Sequence, residues 1–383
     1  QRGIMMSEAS DVVIVGGGAA GCAAAYYLAQ AGVNVTLVER EGLSSQASGY
    51  SAGGVNPLHG LLPLLRPLAL ASFRLHLTLW EALQSVTGRD CHHRIISMIR
   101  VADDETALAD LQDMSELYEA TDGFSAHWLD DDELHALEPR LAAHIGHGLY
   151  LHGNGVVDSQ LFTVLMAEAA ERAGATLRAG IVHNLQRSNE RITGVVLEDG
   201  VISCDHVVLA MGAWSKAVEP WLNCAMPIEP MKGEILRMTL PGPALEHDII
   251  ASDILLCSRP GPQVWCASTE EWKGFDRDVS ESARQTLHHN AMGLMPAMAE
   301  ARLVQQTACL RPVAPDWLPI IGKAPGWDNA YLATGGAKKG ILFSTGIGKA
   351  IADLITAGHT LLPIDLCTPE RFVGQSPSWR DSA

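Results

Sequence analysis

The sequence predicts an α/β protein. A dinucleotide-binding domain is assembled from separated parts of the chain, and an α+β part built on an antiparallel sheet is interleaved with it. Three observations predict this. Gly16-x-Gly18-x-x-Gly21 stands between an apolar run at 12–15 and a helix-like segment. A second apolar run then ends in Glu39. A second glycine-rich turn, TGGAKKG (334–340), precedes a long helical pattern closed by Gly358.

The opening unit, DVVIVGGGAAGCAAAYYLAQAGVNVTLVER (11–40), has the Rossmann-like order strand, glycines, helix, strand, acid. Gly16 permits the tight turn and Gly18 lets backbone approach a pyrophosphate, while Gly21 lets helix and strand pack closely. The amides around Ala19 and Ala20 lie at the positive end of the helix dipole, where a phosphate is favoured. Glu39 is placed to accept from a ribose hydroxyl.

The following elements are read in order. Residues 44–60 are rich in Gly, Ser and Ala and read as a loop close to a ligand. Apolar spacing predicts a helix at 68–87 ending at Gly88, and a strand at 94–101. A polar, acidic helical region covers 103–140, and GLYLHG at 148–153 reads as a strand. Asp158 or Ser159 caps a helix at 160–173. A strand at 175–184, a hairpin at 191–202 and a strand at 206–215 come next. Several β-type runs fill 228–270, and a helix occupies 279–294. The dinucleotide-binding domain is therefore expected from 1–90, 150–225 and 301–383, and the second domain from 91–149 and 226–300.

Composition narrows the function classes. The chain has 383 residues with net charge −17. A surface this acidic repels phosphate backbones, so nucleic acid is not an expected partner. The run LLPLLRPLALA (61–71) is broken by Pro63, Arg66 and Pro67, so no membrane span is expected. QRGIMMSEAS has no apolar signal core and reads as a tail. The eight cysteines show no CxxC spacing, which favours free thiols in a reducing cytoplasm and no metal site.

Four blocks together carry a resemblance: VIVGGGAAG with Glu39-Arg40, the loop QASGYSAGGV, DHVVLAMGAWS, and LRPVAPDWLPIIG with ATGGAKKGILFSTGIGKAIADLI. The chain resembles FAD-dependent amine oxidoreductases of the D-amino-acid oxidase type, including glycine oxidase and sarcosine oxidase. The resemblance implies a glycine oxidase-like two-domain fold with an FAD-binding domain and a substrate domain. It implies FAD contacts by Ser45, Ala47, Ser48, Gly49 and Gly53, by the Val182 backbone, and by Gly212 and Trp214. Gly340, Ile341 and Leu342 open the last helix, whose free amides would stabilise charge on the reduced flavin. Lys338 and Lys339 are the nearby cations, read either as catalytic or as solvated charges at the start of a helix. FAD is expected to be held non-covalently; Cys309, similar in position to the flavin-bonding cysteine of sarcosine oxidase, is the covalent alternative.

By the same resemblance Arg311 binds the substrate carboxylate, since a planar guanidinium grips it through two parallel bonds. The other reading pairs Arg311 with Asp316 or Glu300 at the surface. His59 and Arg66 are further substrate-contact candidates. The resemblance implies oxidation of a small carboxylated amine or amino acid, with hydride passing to flavin N5, imine hydrolysis, and oxygen reduced to hydrogen peroxide. Two alternatives stand beside it. One is a dehydrogenase of the same fold using a quinone or carrier acceptor, with an amine or a hydroxy acid as substrate; the other is the flavin domain of a tRNA wobble-uridine enzyme. A homo-oligomer is compatible with all of them.

Overall fold

A computed structural model describes residues 8–102 and 105–374. Two sheets organise the chain. The first runs β16 (Ile320–Lys323), β17 (Ala330–Thr334), β10 (Gly200–Leu209), β1 (Glu8–Val15), β2 (Val35–Glu39) and β7 (Thr176–Ala179). The hairpin of β8 (Val182–Ser188) and β9 (Arg191–Leu197) extends from β10. β1 pairs in parallel with β2 and β10, and β10 with β17. Parallel central strands are covered on both faces, which is why β1 reads as an unbroken apolar run and Val12, Val13 and Ile14 are fully buried.

One face of this sheet carries α1 (Ala19–Gln30), α3 (Arg66–Thr87), α6 (Ser159–Arg172) and α9 (Gly340–Thr356) in one apolar core. The alanine-rich α1 lets backbones come close, and a Cβ on Gly348 of α9 would overlap Ala23 and Ala24. Asp158 caps α6 by accepting from the Leu161 N–H, and Gly88 ends α3 at φ 73°.

The second sheet runs β15 (Arg302–Val313), β11 (Glu229–Thr239), β14 (Gln263–Ala267), β13 (Leu255–Ser258), β12 (Asp248–Ile250), β4 (Arg94–Val101), β6 (Gly148–Val156) and β3 (Gly54–Val55). β5 (Ser125–Leu129) also pairs with β6. Around it lie α4 (Glu105–Glu119), α5 (Asp131–Leu137) and α8 (Glu281–Leu294). The short α2 (Ala47–Tyr50) and α7 (Glu219–Leu222) complete the helices of the described residues.

Strand pairing corrects several expectations. β3, β6 and β15 belong to the second sheet, so boundaries at 90, 150 and 301 do not follow it. β15 pairs with β11 from Arg302 to Val313, and backbone hydrogen bonding rather than sequence neighbourhood decides where a strand sits. The loop at 44–60 contains α2 and β3, because Gly54 and Val55 find partners in β6. The strand expected at 206–215 stops at Leu209, where Gly212 (φ 54°) turns the chain into a 3₁₀ turn. The strand expected at 175–184 is two strands, β7 and β8. Glu8 to Ser10, read as tail, pair with β10; residues 1–7 lie outside the described residues.

Candidate active site

A cavity of about 840 Å³ lies between the two sheets. One end is built by the glycine turn. Gly16 adopts φ 113°, and a Cβ on Gly21 would overlap the Gly16 carbonyl oxygen, so the turn presses against the first helical residues. Gly18 is the N-cap of α1 with no side-chain cap, so the first-turn amides have no partner within the helix. Ser48 Oγ accepts from the Ala19 N–H (2.9 Å), and Glu39 Oε2 accepts from the Gly17 N–H (2.6 Å). Gly16, Gly18, Ala19, Ala20, Glu39, Arg40, Val182, Gly212 and Trp214 line this end, with Ala47 and Ser48 above it. An elongated dinucleotide fits the shape: a glycine cradle and helix amides for a pyrophosphate, an acid beyond it, and room running toward α9.

The other wall is one face of the second sheet. Alternate residues share a face, and the pairings carry it across five strands from β4 to β11. Arg100 opposes Ile250, Ile250 opposes Leu255, Leu255 opposes Ala267, and Ala267 opposes Ile235. Two residues along β11, Gly233 opposes Cys309, and Arg311 follows on the same face of β15. All of these line the cavity.

Arg311 donates from Nη1 to the Thr269 carbonyl (3.0 Å) and from Nη2 to Ser268 Oγ (2.7 Å). Its surface alternative does not form with Asp316, which holds Arg371 instead (Oδ2–Nε 2.7 Å). Burial pushes the Cys309 thiol up, with Arg311 opposing. The two lysines separate. Lys338 is exposed, 2.5 Å from Glu270 Oε1 and 5.3 Å from the Trp317 ring centroid. Lys339 points inward, where Nζ donates to the Asn56 carbonyl (3.4 Å), and burial with Lys338 nearby lowers it to about 8. His59 lies beside it, its Nε2 3.2 Å from Met98 Sδ. Burial, then Lys339 and Arg100, hold His59 well below its usual range, so its ring is neutral. Gly340 and Ile341 also line the cavity.

Other expected residues do not line it. Arg66 stands in the first turn of α3, outside the lining. Leu342 is fully buried in the core below α9. Gly49, Gly53 and Gly21 serve close packing: Cβ atoms there would overlap the carbonyls of Ser44, Val157 and Gly16. Ser45 is likewise outside the lining. Sequence reasoning missed Arg100 and Asp248. Arg100 donates from Nη1 to the Ala251 carbonyl (3.0 Å); the visible signal is an arginine in the apolar strand 94–101. Asp248 accepts from the Ser258 N–H and Oγ (2.7 and 3.0 Å), and burial raises it.

All eight cysteines are free. Away from the cavity, Asp90, Cys91 and His93 bring three potential metal donors within 4.8 Å, a juxtaposition the spacing argument had not anticipated. His93 Nδ1 already engages Asp90 (2.9 Å), and burial pushes the Cys91 thiol up to about 12. No helix among the described residues is long and apolar enough to cross a membrane.

Comparison with known proteins gives matches over most of the chain. The family model described as FAD dependent oxidoreductase (DAO) matches residues 11–354. Glycine oxidase of Geobacillus kaustophilus is 30% identical over 376 residues, spanning 97% of this chain and 99% of that protein. D-amino acid dehydrogenase of Xanthobacter autotrophicus is 30% identical over 389 residues, spanning 87% of this chain and 92% of that protein. The crystal structure of glycine oxidase from Geobacillus kaustophilus matches with TM-score 0.90 at 28% identity, covering 95% of this chain and 99% of that one.

Proposed function

Because the chain belongs to the DAO family of FAD-dependent oxidoreductases, we propose that it oxidises the C–N bond of a small amino acid or secondary amine carrying a carboxylate. The observation that carries this reading is Arg311 on the cavity face, with two donors tied to Ser268 and Thr269 and a flat guanidinium in a fixed plane. Such a group orients a carboxylate through paired charge-assisted bonds, and orientation is a large part of the rate available here. Bound FAD would supply the two-electron acceptor for the hydride lost from the substrate's α-carbon and, in the oxidase reading, two electrons and two protons would then pass to oxygen and give hydrogen peroxide.

The chain's own residues do the rest. Gly16, Gly18, Ala19 and Ala20 would hold the pyrophosphate, Glu39 the ribose. Lys339 and the amides that open α9 would stabilise negative charge at that end of the ring system. Lys338, turned to Glu270, would act there only at longer range. The Lys339 and Arg100 charges that hold His59 below its usual range also disfavour a further cation beside them, so a substrate amine bound there would react as the free base with no dedicated general base. The imine that leaves is hydrolysed by water.

The raised Cys309 thiol supports non-covalent FAD, since the thiolate is the nucleophile. Acid precipitation of the yellow protein tests this: colour left in the supernatant supports it, and colour kept by the polypeptide reverses it. The relative named D-amino acid dehydrogenase favours a second reading in which another acceptor replaces oxygen. Anaerobic bleaching with glycine, sarcosine, proline, D-amino acids and iminodiacetate-like compounds tests the substrate class. Oxygen uptake with peroxide detection then tests the acceptor.

A further inference from the structure

The chain between β14 and α8 links the two ends of the cavity. At the start, Ser268 and Glu270 line it beside Arg311 and Lys338. Further on, the Phe275 ring lies 5.7 Å from that of Trp214 at 32°, and Arg277 Nη1 lies 3.3 Å from Glu41 Oε2. The Arg40 guanidinium lies over the Trp214 ring, 4.3 Å from its centroid. These groups bound a second hollow of about 380 Å³ that shares Arg40, Ile181 and Trp214 with the main cavity.

The segment is pinned in its middle to the back of β11. Lys232 and Glu271 exchange backbone hydrogen bonds (2.8 and 2.9 Å). Lys232 Nζ, in a side chain 3% exposed, donates to Asp276 Oδ2 (2.8 Å) and to the Asp278 carbonyl. Glu234, fully buried, accepts from the Ser280 N–H (3.0 Å) and Oγ (2.8 Å), and lies 3.4 Å from Lys232 Nζ. Lys232 and Glu234 flank Gly233, which faces the cavity, so the ion pair sits on the side of the strand that the chemistry does not use. Burying such a pair is costly, and fixing a geometry is a recognised use for it. The two side chains that reach the groove are held differently from Asp276 between them: Phe275 is 53% exposed and makes an aromatic contact, and Arg277 makes an exposed ion pair, both weak.

We propose that residues 271–280 form a clasp over the adenosine end of bound FAD: the Lys232–Glu234 pair holds the base, and Phe275 and Arg277 close the groove at Arg40, Glu41 and Trp214, so that detachment of the tip sets the rate of FAD loss. The proposal rests on the placement of the adenosine near Glu39 and is independent of the substrate.

Phe275→Ala and Arg277→Ala in the holoenzyme test it, read by the rise of flavin fluorescence on dilution. Release becomes about tenfold faster in each, as expected when an interface contact is lost mainly through the off-rate. Phe275→Trp restores the parent rate, and high salt removes the difference for Arg277→Ala. Release within twofold of the parent in both variants overturns the proposal. Faster release matched by an equal fall in melting temperature of the flavin-free protein also overturns it, since the segment is then only structural. Altered release in a protein that no amino acid bleaches leaves the clasp standing and refutes the substrate reading instead.

Discussion

Gly233 lies directly beneath the guanidinium of Arg311: a Cβ at 233 would overlap Nη1, Cζ and Nη2 at once. The glycine on one strand thus makes the resting place for the arginine of the next. Gly233→Ala pushes Arg311 off Ser268 and Thr269, and KM for a carboxylated amine rises roughly 10- to 100-fold, the worth of one charge-assisted bond. Flavin content stays unchanged. Steady-state kinetics beside the absorbance ratio of flavin to protein checks this, and an unaltered KM removes Arg311 from substrate binding.

Lys339 carries its charge below pH about 8 and loses it above. If that charge stabilises the reduced cofactor, kcat falls as pH rises through about 8. Lys339→Met lowers kcat roughly tenfold or more and flattens that limb. A pH profile of kcat in both proteins decides the matter. An alkaline limb that persists in the variant belongs to another group.

His76 joins α3 to α9. Its Nε2 faces the carbonyls of Ile341 (2.9 Å) and Leu342 (3.1 Å), so that nitrogen carries the proton and donates. Burial lowers the ring from its usual 6.5 to about 4. The unfolded chain therefore binds the extra proton first, and stability present above pH 6.5 is lost as pH falls toward 4, on the order of 3 kcal/mol. Denaturant titrations between pH 7 and 4 check this, and His76→Gln shows a shallower acid slope.

Gly21→Ala sets a methyl group against the Gly16 carbonyl and Ala210. Overpacking of this kind costs about 1–3 kcal/mol, and here it distorts the turn itself. The purified variant carries little flavin and melts at lower temperature, measured by absorbance and calorimetry. Full flavin content would show that the turn relaxes freely.

Local rules made much of the fold readable. The glycine turn, the caps at Asp158 and Gly88, and the final helix follow from backbone sterics and apolar periodicity within short windows. So do Gly16, Gly18, Ala19 and Ala20 at the dinucleotide end, because one continuous strand–turn–helix brings them together. The cavity wall built on the second sheet was not readable in this way. Arg100, Asp248, Gly233 and Arg311 lie on four strands far apart in sequence, and pairing register alone puts them on one face.

The sequence by itself determined the glycine turn and the places of Glu39 at a strand end and of the two lysines before α9, since these follow from backbone sterics and apolar periodicity within short windows. Only the tertiary structure decided that Lys339 turns inward while Lys338 meets Glu270, that Asp316 belongs to Arg371, and that β15 joins the second sheet. These outcomes rest on burial and hydrogen bonding between distant segments, which neighbouring residues along the chain do not encode.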